Sequence, residues 1–242
     1  MTSGDGLGRS LRLARAFRYE QSEPERFYRA LAEDSVTQVS HHADLAGAWV
    51  LDVGGGPGWF HAAFTLAGAR YCVVERDRRE AADRRPGANP PTVVADGSAL
   101  PVRHGAFDVC FSSNVLEHVP RPWRFLDELV SAVRGGGIVF CAFTNWLSPW
   151  GGHETSPWHL LGGERAARRY EQRYGRPPKN RIGRSLFPVH VGEVLRWAQA
   201  NPTVDLVDAW PRYYPKWCRR VVSVPGLREL ATWNLAIVLR RR

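Results

Sequence analysis

The sequence predicts an α/β fold, a doubly wound and mostly parallel β-sheet flanked by helices, in a single domain over residues 1–242. Three observations predict it. Five short apolar runs alternate with helical stretches from Ala48 onward, as parallel strands buried on both faces require. A glycine-rich turn, Gly54 to Gly58, follows the first run. Two more strand-like runs, 203–209 and 233–239, come after a stretch that breaks the alternation.

Taken in chain order, residues 7–39 read as two helical segments. Leu7, Leu11, Leu13, Ala14 and Phe17 recur at roughly helical spacing among arginines, and Pro24 opens a second helix carrying Phe27, Tyr28 and Leu31. The first five strands are 48–53 (AWVLDV), 70–75 (RYCVVE), 92–95 (TVVA), 107–112 (FDVCFS) and 137–143 (GIVFCAF). Before the fifth, Pro122 suits the first turn of a helix whose Trp123, Leu126, Leu129, Val130 and Val133 line one face. Residues 144–190 are rich in Gly, Pro, Trp and His and read as an insertion over the carboxyl edge of the sheet; 190–200 is helical again. Four parts result: N-terminal helices (1–45), a ligand-binding core (46–145), an inserted cap (146–200) and C-terminal strands (201–242).

Composition narrows the function classes. A hydrophobic fraction of 44% suits a globular chain. No run approaches the ~18 apolar residues of a membrane span, and the polar, Gly-rich start lacks a signal peptide's apolar stretch, so a cytoplasmic location is expected. Cys72, Cys110, Cys141 and Cys218 show no CxxC spacing and read as reduced thiols, three of them in strands. The net charge of +9 admits anionic partners, but only Lys179 and Lys216 are lysines, and the arginines form no continuous stripe. A nucleic-acid partner is therefore disfavoured. The aromatic and basic segment Trp210 to Arg220 would suit a lipid or glycan carrying phosphate, or contact with a membrane surface. Its plainer reading is a loop packed on the sheet with arginines outward. Nothing in the sequence bears on oligomeric state.

The turn Asp52-Val53-Gly54-Gly55-Gly56-Pro57-Gly58 carries the functional signal. Glycines there let the backbone turn tightly and approach a ligand, and its free N–H groups suit a polar or anionic group. A dinucleotide fingerprint starting at Gly54 would end on Trp59, and one starting at Gly56 would end on His61, so neither register fits. The lysine of a P-loop is absent as well.

The run D-x-G-x-G-x-G resembles motif I of the class I S-adenosylmethionine-dependent methyltransferases, with Gly54, Gly56 and Gly58 as its glycines. Further pieces fall in family order. Glu75 ends the second strand, Asp96-Gly97-Ser98-Ala99-Leu100-Pro101 follows the third, and the fourth runs from Phe107-Asp108 to Asn114-Val115-Leu116-Glu117-His118-Val119. The last piece is similar to the L-E-H-V segment of small-molecule enzymes related to the ubiquinone and menaquinone methyltransferases. The whole chain also resembles actinobacterial methyltransferases, in keeping with its preference for Arg over Lys. The family implies a Rossmann-like sheet of seven strands with an antiparallel last strand. It implies S-adenosylmethionine as cofactor and S-adenosylhomocysteine as product. It assigns cofactor contacts to Asp52, Gly54, Gly56, Gly58, Glu75 (ribose), Asp96 (adenine), Gly97, Ser98 and Asn114. One departure is Gly135 where the family has proline before the fifth strand.

Methyl transfer from a sulfonium is an in-line displacement, so the protein aligns the acceptor and helps remove its proton. His153, in the glycine-bounded turn Trp150 to Glu154, and His118 are the candidate bases, which points to an oxygen acceptor. Tyr28, Trp146 and His159 are the candidate substrate contacts, and Tyr19 could close over the cofactor beside Tyr28. His153, Glu154 and His159 match no metal-ligand spacing, so no metal site is expected. The expected acceptor is a small molecule, a sugar or a lipid-linked metabolite. An RNA methyltransferase is the first rival, but the N-P-P-Y motif of base-methylating enzymes is replaced by Ser112-Ser113-Asn114-Val115. A non-catalytic cofactor-binding scaffold is the second.

Overall fold

A computed structural model describes residues 6–20, 22–82 and 90–242. Seven strands form one sheet: β1 (Trp49–Val53), β2 (Arg70–Glu75), β3 (Thr92–Val94), β4 (Phe107–Ser113), β5 (Val133–Thr144), β6 (Val204–Pro211) and β7 (Asn234–Arg241). Their order is β3-β2-β1-β4-β5-β7-β6. All neighbouring pairs are parallel up to β5, and β7 runs antiparallel to both β5 and β6, pairing Cys141 with Ile237 and Ala209 with the same residue. This is the seven-stranded, mostly parallel sheet with an antiparallel last strand that the sequence implies.

Alternate residues of each strand feed two cores. On one face, Leu51, Val53, Cys110 and Cys141 meet Phe125, Leu126 and Leu129 of α5 (Pro122–Ala132) and Val191, Val194 and Ala198 of α7 (Val191–Ala200). On the other, Val50, Phe111 and Phe140 meet Phe27 and Leu31 of α2 (Pro24–Ser40) and Phe64 of α3 (His61–Leu66), and the short α4 (Arg78–Ala82) follows β2. Here aromatic rings form a continuous row: Phe111 lies 5.2 Å from both Phe64 and Phe140, and Phe140 lies 6.0 Å from Trp210. Cys110 and Cys141 are core thiols, and burial pushes both well above the usual thiol range.

The insertion after β5 is more ordered than its composition suggests. It holds short 3-10 turns at His153–Thr155 and Trp158–Leu161 and a full helix, α6 (Gly163–Tyr174). Only Ala166 of that helix is buried. A long 3-10 stretch, Lys216–Ser223, and α8 (Leu227–Ala231) lie between β6 and β7. α8 serves α7: the Glu229 carboxylate accepts the Val191 and Gly192 N–H groups at 3.0 and 2.7 Å, satisfying donors that a helix start leaves open.

The N-terminal helices are fixed by a buried ion pair. Arg9 of α1 (Leu7–Phe17) donates from Nε and Nη2 to the two oxygens of Asp34 on α2, at 2.5 and 2.7 Å. Its Nη2 also donates to the Arg212 carbonyl at 2.7 Å. Arg9 and Asp34 are 5% and 2% exposed, so removing one strands the other charge in the interior. Asp34→Ala is expected to lower the unfolding free energy by roughly 3–5 kcal/mol, read by denaturant titration. Replacing both residues by apolar ones should recover part of that loss.

Candidate active site

The chain crosses over in opposite directions from β1 and β4, which are neighbours in the sheet. Such a switch point opens a crevice at the carboxyl ends of the two strands. The glycine turn stands on one side of it and Asn114 to His118 on the other. Gly54, Gly56 and Gly58 adopt φ of +81°, +53° and +84°. At Gly54 the need is also spatial, because a Cβ there would collide with the Val115 side chain.

Glu75 ties this turn to β2. It is 7% exposed, and its Oε2 accepts the Gly56 N–H while Oε1 accepts the Asp77 N–H, both at 2.9 Å. Each carboxylate oxygen can accept a second hydrogen bond, so Glu75 can hold the turn and still receive two ribose hydroxyls. Asp96 is exposed at the end of β3, and its Oδ1 accepts the Ser98 N–H at 2.8 Å. Gly97 has no room for a side chain: a Cβ would lie 2.5 Å from the Phe125 ring. Ser98 is buried, and its carbonyl is held by Arg124 Nε at 2.8 Å. The Gly54, Gly56 and Gly58 N–H groups are donated within the protein, to Val74, Glu75 and Gly55, so the turn offers its shape and close approach, and with the open lone pairs of Glu75 and the exposed Asp96 it fits an adenosyl group.

Two of the expected cofactor residues are braces. Asp52 is 1% exposed beneath the turn, where it accepts the Tyr71 hydroxyl, and its Oδ2 would lie 2.6 Å from a Cβ on Gly55. Burial pushes its carboxyl up to about 7, with the charge of Glu75 adding to the rise and Tyr71 opposing it. Asn114, at φ +58°, has its Oδ1 taken by Asn234 Nδ2 at 2.8 Å and also bonds Tyr213. It joins β4 to β7 rather than offering a free amide.

α2 covers the turn. Tyr28 stacks on Trp59 with centroids 4.5 Å apart, and burial raises its hydroxyl to about 12. Tyr19 packs under the Arg26 guanidinium, 3.9 Å from its centroid. Arg212, in a segment read as a loop with outward arginines, points inward instead. It is 1% exposed and donates to the Ser113 and Ser35 hydroxyls at 2.8 and 2.9 Å.

The insertion brings His153 against His118, with ring centroids 4.9 Å apart. His118 donates from Nδ1 to the Ser185 carbonyl at 2.7 Å, leaving its other nitrogen as the basic one. His153 sits at φ +49°, and its Nε2 is buried without a partner. Burial lowers its pKa, and the nearby Glu117 carboxylate opposes that. Glu117, which the motif contains but which was not singled out as a site residue, lies beside both. Its Oε1 accepts the Thr144 N–H at 2.9 Å, and its Oε2 is open.

Other cap residues are engaged in structure. Glu154 accepts the Asn180 N–H and Nδ2 at 2.8 and 2.9 Å; burial would raise its pKa, but these bonds hold it below the usual range. His159, expected to meet substrate, is 2% exposed. It donates from Nε2 to the Trp146 carbonyl at 2.9 Å and packs where a Gly152 side chain would be. It therefore clamps the loop that carries His153. Trp146 sits edge-on to it at 4.8 Å.

Comparison with known proteins supplies the family. A methyltransferase-domain model matches residues 51–141. A methyltransferase of Mycobacteroides abscessus is 49% identical, covering 98% of this chain and 95% of its own length. The chain belongs to the class I S-adenosylmethionine-dependent methyltransferases. Another relative, from Mycolicibacterium vanbaalenii, is 50% identical over 97% of this chain and 94% of its own. The fold matches a solved S-adenosylmethionine-dependent methyltransferase from Mesorhizobium loti at a TM-score of 0.60 and 17% identity, covering 87% of this chain and 98% of that one. It also matches a [4+2]-cyclase at 0.55 and 14% identity, over 86% and 80% of the two chains.

The buried Asp52 gives the methyltransferase a pH signature. Its folded pKa, about 7, lies above the ordinary 3.8, so folding takes up a proton between those values. Its contribution to stability is full below about pH 4 and is lost as pH rises to about 7. The difference in unfolding free energy between wild type and Asp52→Asn should therefore shift in favour of the variant across that interval, then level off. A difference independent of pH from 4 to 8 would contradict the assignment.

Proposed function

We propose that this methyltransferase transfers a methyl group to an oxygen of a small molecule, a sugar or a lipid-linked metabolite bound under the cap. S-adenosylmethionine, when bound, supplies the methyl group on a sulfonium, already an excellent leaving group. The observation that carries the reading is the half-buried His118–His153 pair beside the buried Glu117, which stands next to the glycine turn through Val115. His153 and His118 are the groups that free the acceptor hydroxyl of its proton, and an amine acceptor would have less need of them.

The cofactor is bound by the backbone of Gly54, Gly56 and Gly58, by Glu75 at the ribose and by Asp96 at the adenine, with Gly97 and Ser98 flanking it. Asp52 and Asn114 act by bracing these contacts. Residues 1–45 serve as a lid through Tyr28, residues 146–200 as the substrate cap with Trp146 at its root, and residues 201–242 complete the wall with Tyr213. A lipid-linked acceptor and peripheral membrane contact are supported by exposed Trp217 (76%), Leu227 (48%) and Leu230 (64%) near exposed Arg220. Among the described residues no helix is long and apolar enough to cross a membrane. The cytoplasm, where the cofactor is made, is the proposed location.

Calorimetric titration of wild type with S-adenosylmethionine and S-adenosylhomocysteine is expected to give micromolar affinity. Glu75→Ala should weaken both at least tenfold, about 1.4 kcal/mol. No binding by folded wild-type protein would overturn the cofactor site. A labelled-methyl screen over hydroxyl, amine and carbon acceptors should then yield hydroxyl products, and labelling of amines alone would remove the oxygen assignment.

A further inference from the structure

We infer that Glu117, His118 and His153 form a binding site for one divalent transition-metal ion of the zinc type. The inference rests on the reading of this cluster as the place where the acceptor loses its proton, and it says how. Each of the three residues offers one ligand atom, and these atoms lie within 4.8 Å of one another. An ion at the centre of a triangle with that side would be about 2.8 Å from each atom, so bonds of about 2.1 Å need each to move by less than an ångström.

Independent features point the same way. Glu117 is 2% exposed, yet its Oε2 has no hydrogen-bond partner, and neither has the buried Nε2 of His153. Leaving such atoms open is unfavourable in the interior, and a cation between them would remove that cost. The Glu117 and His118 side chains are also oriented from behind, by the Thr144 N–H and the Ser185 carbonyl. That is how metal-binding carboxylates and imidazoles are held. His153 enters the cluster from a backbone at φ +49°, a conformation that persists in a residue with a β-carbon when its surroundings over-determine it.

The donor set selects the ion. Two imidazoles and one carboxylate suit zinc, iron or cobalt, whereas magnesium and calcium prefer oxygen throughout. Three protein ligands leave at least one position open. An oxygen ligand there is acidified by the charge, and its proton passes to water. His153, Glu154 and His159 do not form a second such set, since Glu154 is held by Asn180 and His159 by Trp146.

Chelator-treated full-length protein should be titrated with zinc chloride by calorimetry, and with cobalt chloride by visible absorption, which reports nitrogen ligation. One ion per chain is expected, with no saturable response to magnesium. His153→Ala and Glu117→Gln should each weaken zinc binding at least tenfold, and His104→Ala, on an exposed loop, should not. Circular dichroism and S-adenosylmethionine titration check that each variant is folded. Absence of saturable zinc binding by folded wild type, or unchanged affinity in both cluster variants, overturns the site. Methyl transfer that persists at full rate in chelated protein lacking a zinc site keeps the methyltransferase reading and sinks this one. Zinc binding without S-adenosylmethionine binding does the reverse.

Discussion

The cleft depends on one constraint, the left-handed backbone of the glycine turn after β1. With φ near +80° at Gly54 and Gly58, the chain leaves the sheet at once and lets Val115 close against it from the end of β4. Any β-carbon at Gly54 would push these two segments apart. The close approach that the turn allows would then be lost, and so would the neighbourhood of Glu117 and His118, which follow Val115 after Leu116. Glu75 maintains the arrangement by accepting the Gly56 N–H, so a residue with a proposed ligand role is already part of the architecture. The acceptor side and the cofactor side of the crevice share this hinge.

A second tier of buried polar groups fixes what lies above. Arg9 joins α1 to α2 through Asp34 and reaches the carbonyl of Arg212, whose own guanidinium reaches Ser35 on α2 and Ser113 at the end of β4. Four segments, α1, α2, the end of β4 and the chain just after β6, thus converge on one hydrogen-bonded knot beside the cleft. Apolar packing could hold the helices as firmly. A network of directed bonds adds orientation, and orientation is what lets Tyr28 lie flat on Trp59 over the turn.

Much of this was legible in the sequence because the relevant physics is local. Strands buried on both faces must be apolar throughout, so β1, β2 and β4 announced themselves, and α5 showed its stripe of Leu126, Leu129 and Val130. The turn and Glu75 were legible because a ligand at a strand end needs those residue types there. α6 was not, since a helix with only Ala166 buried has no apolar period to read. The inward turn of Arg212 was hidden by its basic neighbours, among which a buried guanidinium looks like any other. His153 and Glu117 are far apart in sequence, and their meeting depends on the path of a Gly-rich loop clamped by His159, which no spacing rule describes.

The matched [4+2]-cyclase is built on the same architecture, so this sheet does not dictate a reaction. The sheet decides where a ligand sits, because the β1/β4 switch point is a property of topology. What happens there has to come from side chains that the fold does not require. By that criterion the hydrogen bonds of Asp52, Asn114 and His159 are structural, since each is consumed within the protein. Glu117 and His153 differ in that their unpartnered buried atoms belong to side chains that meet in one cluster with His118, whereas the open Nδ1 of His159 lies outside it. A chain selected for stability alone would fill that space with apolar groups. Polar atoms retained at a cost, next to a cofactor-shaped turn, mark the part of the molecule whose chemistry belongs to this enzyme and not to the fold.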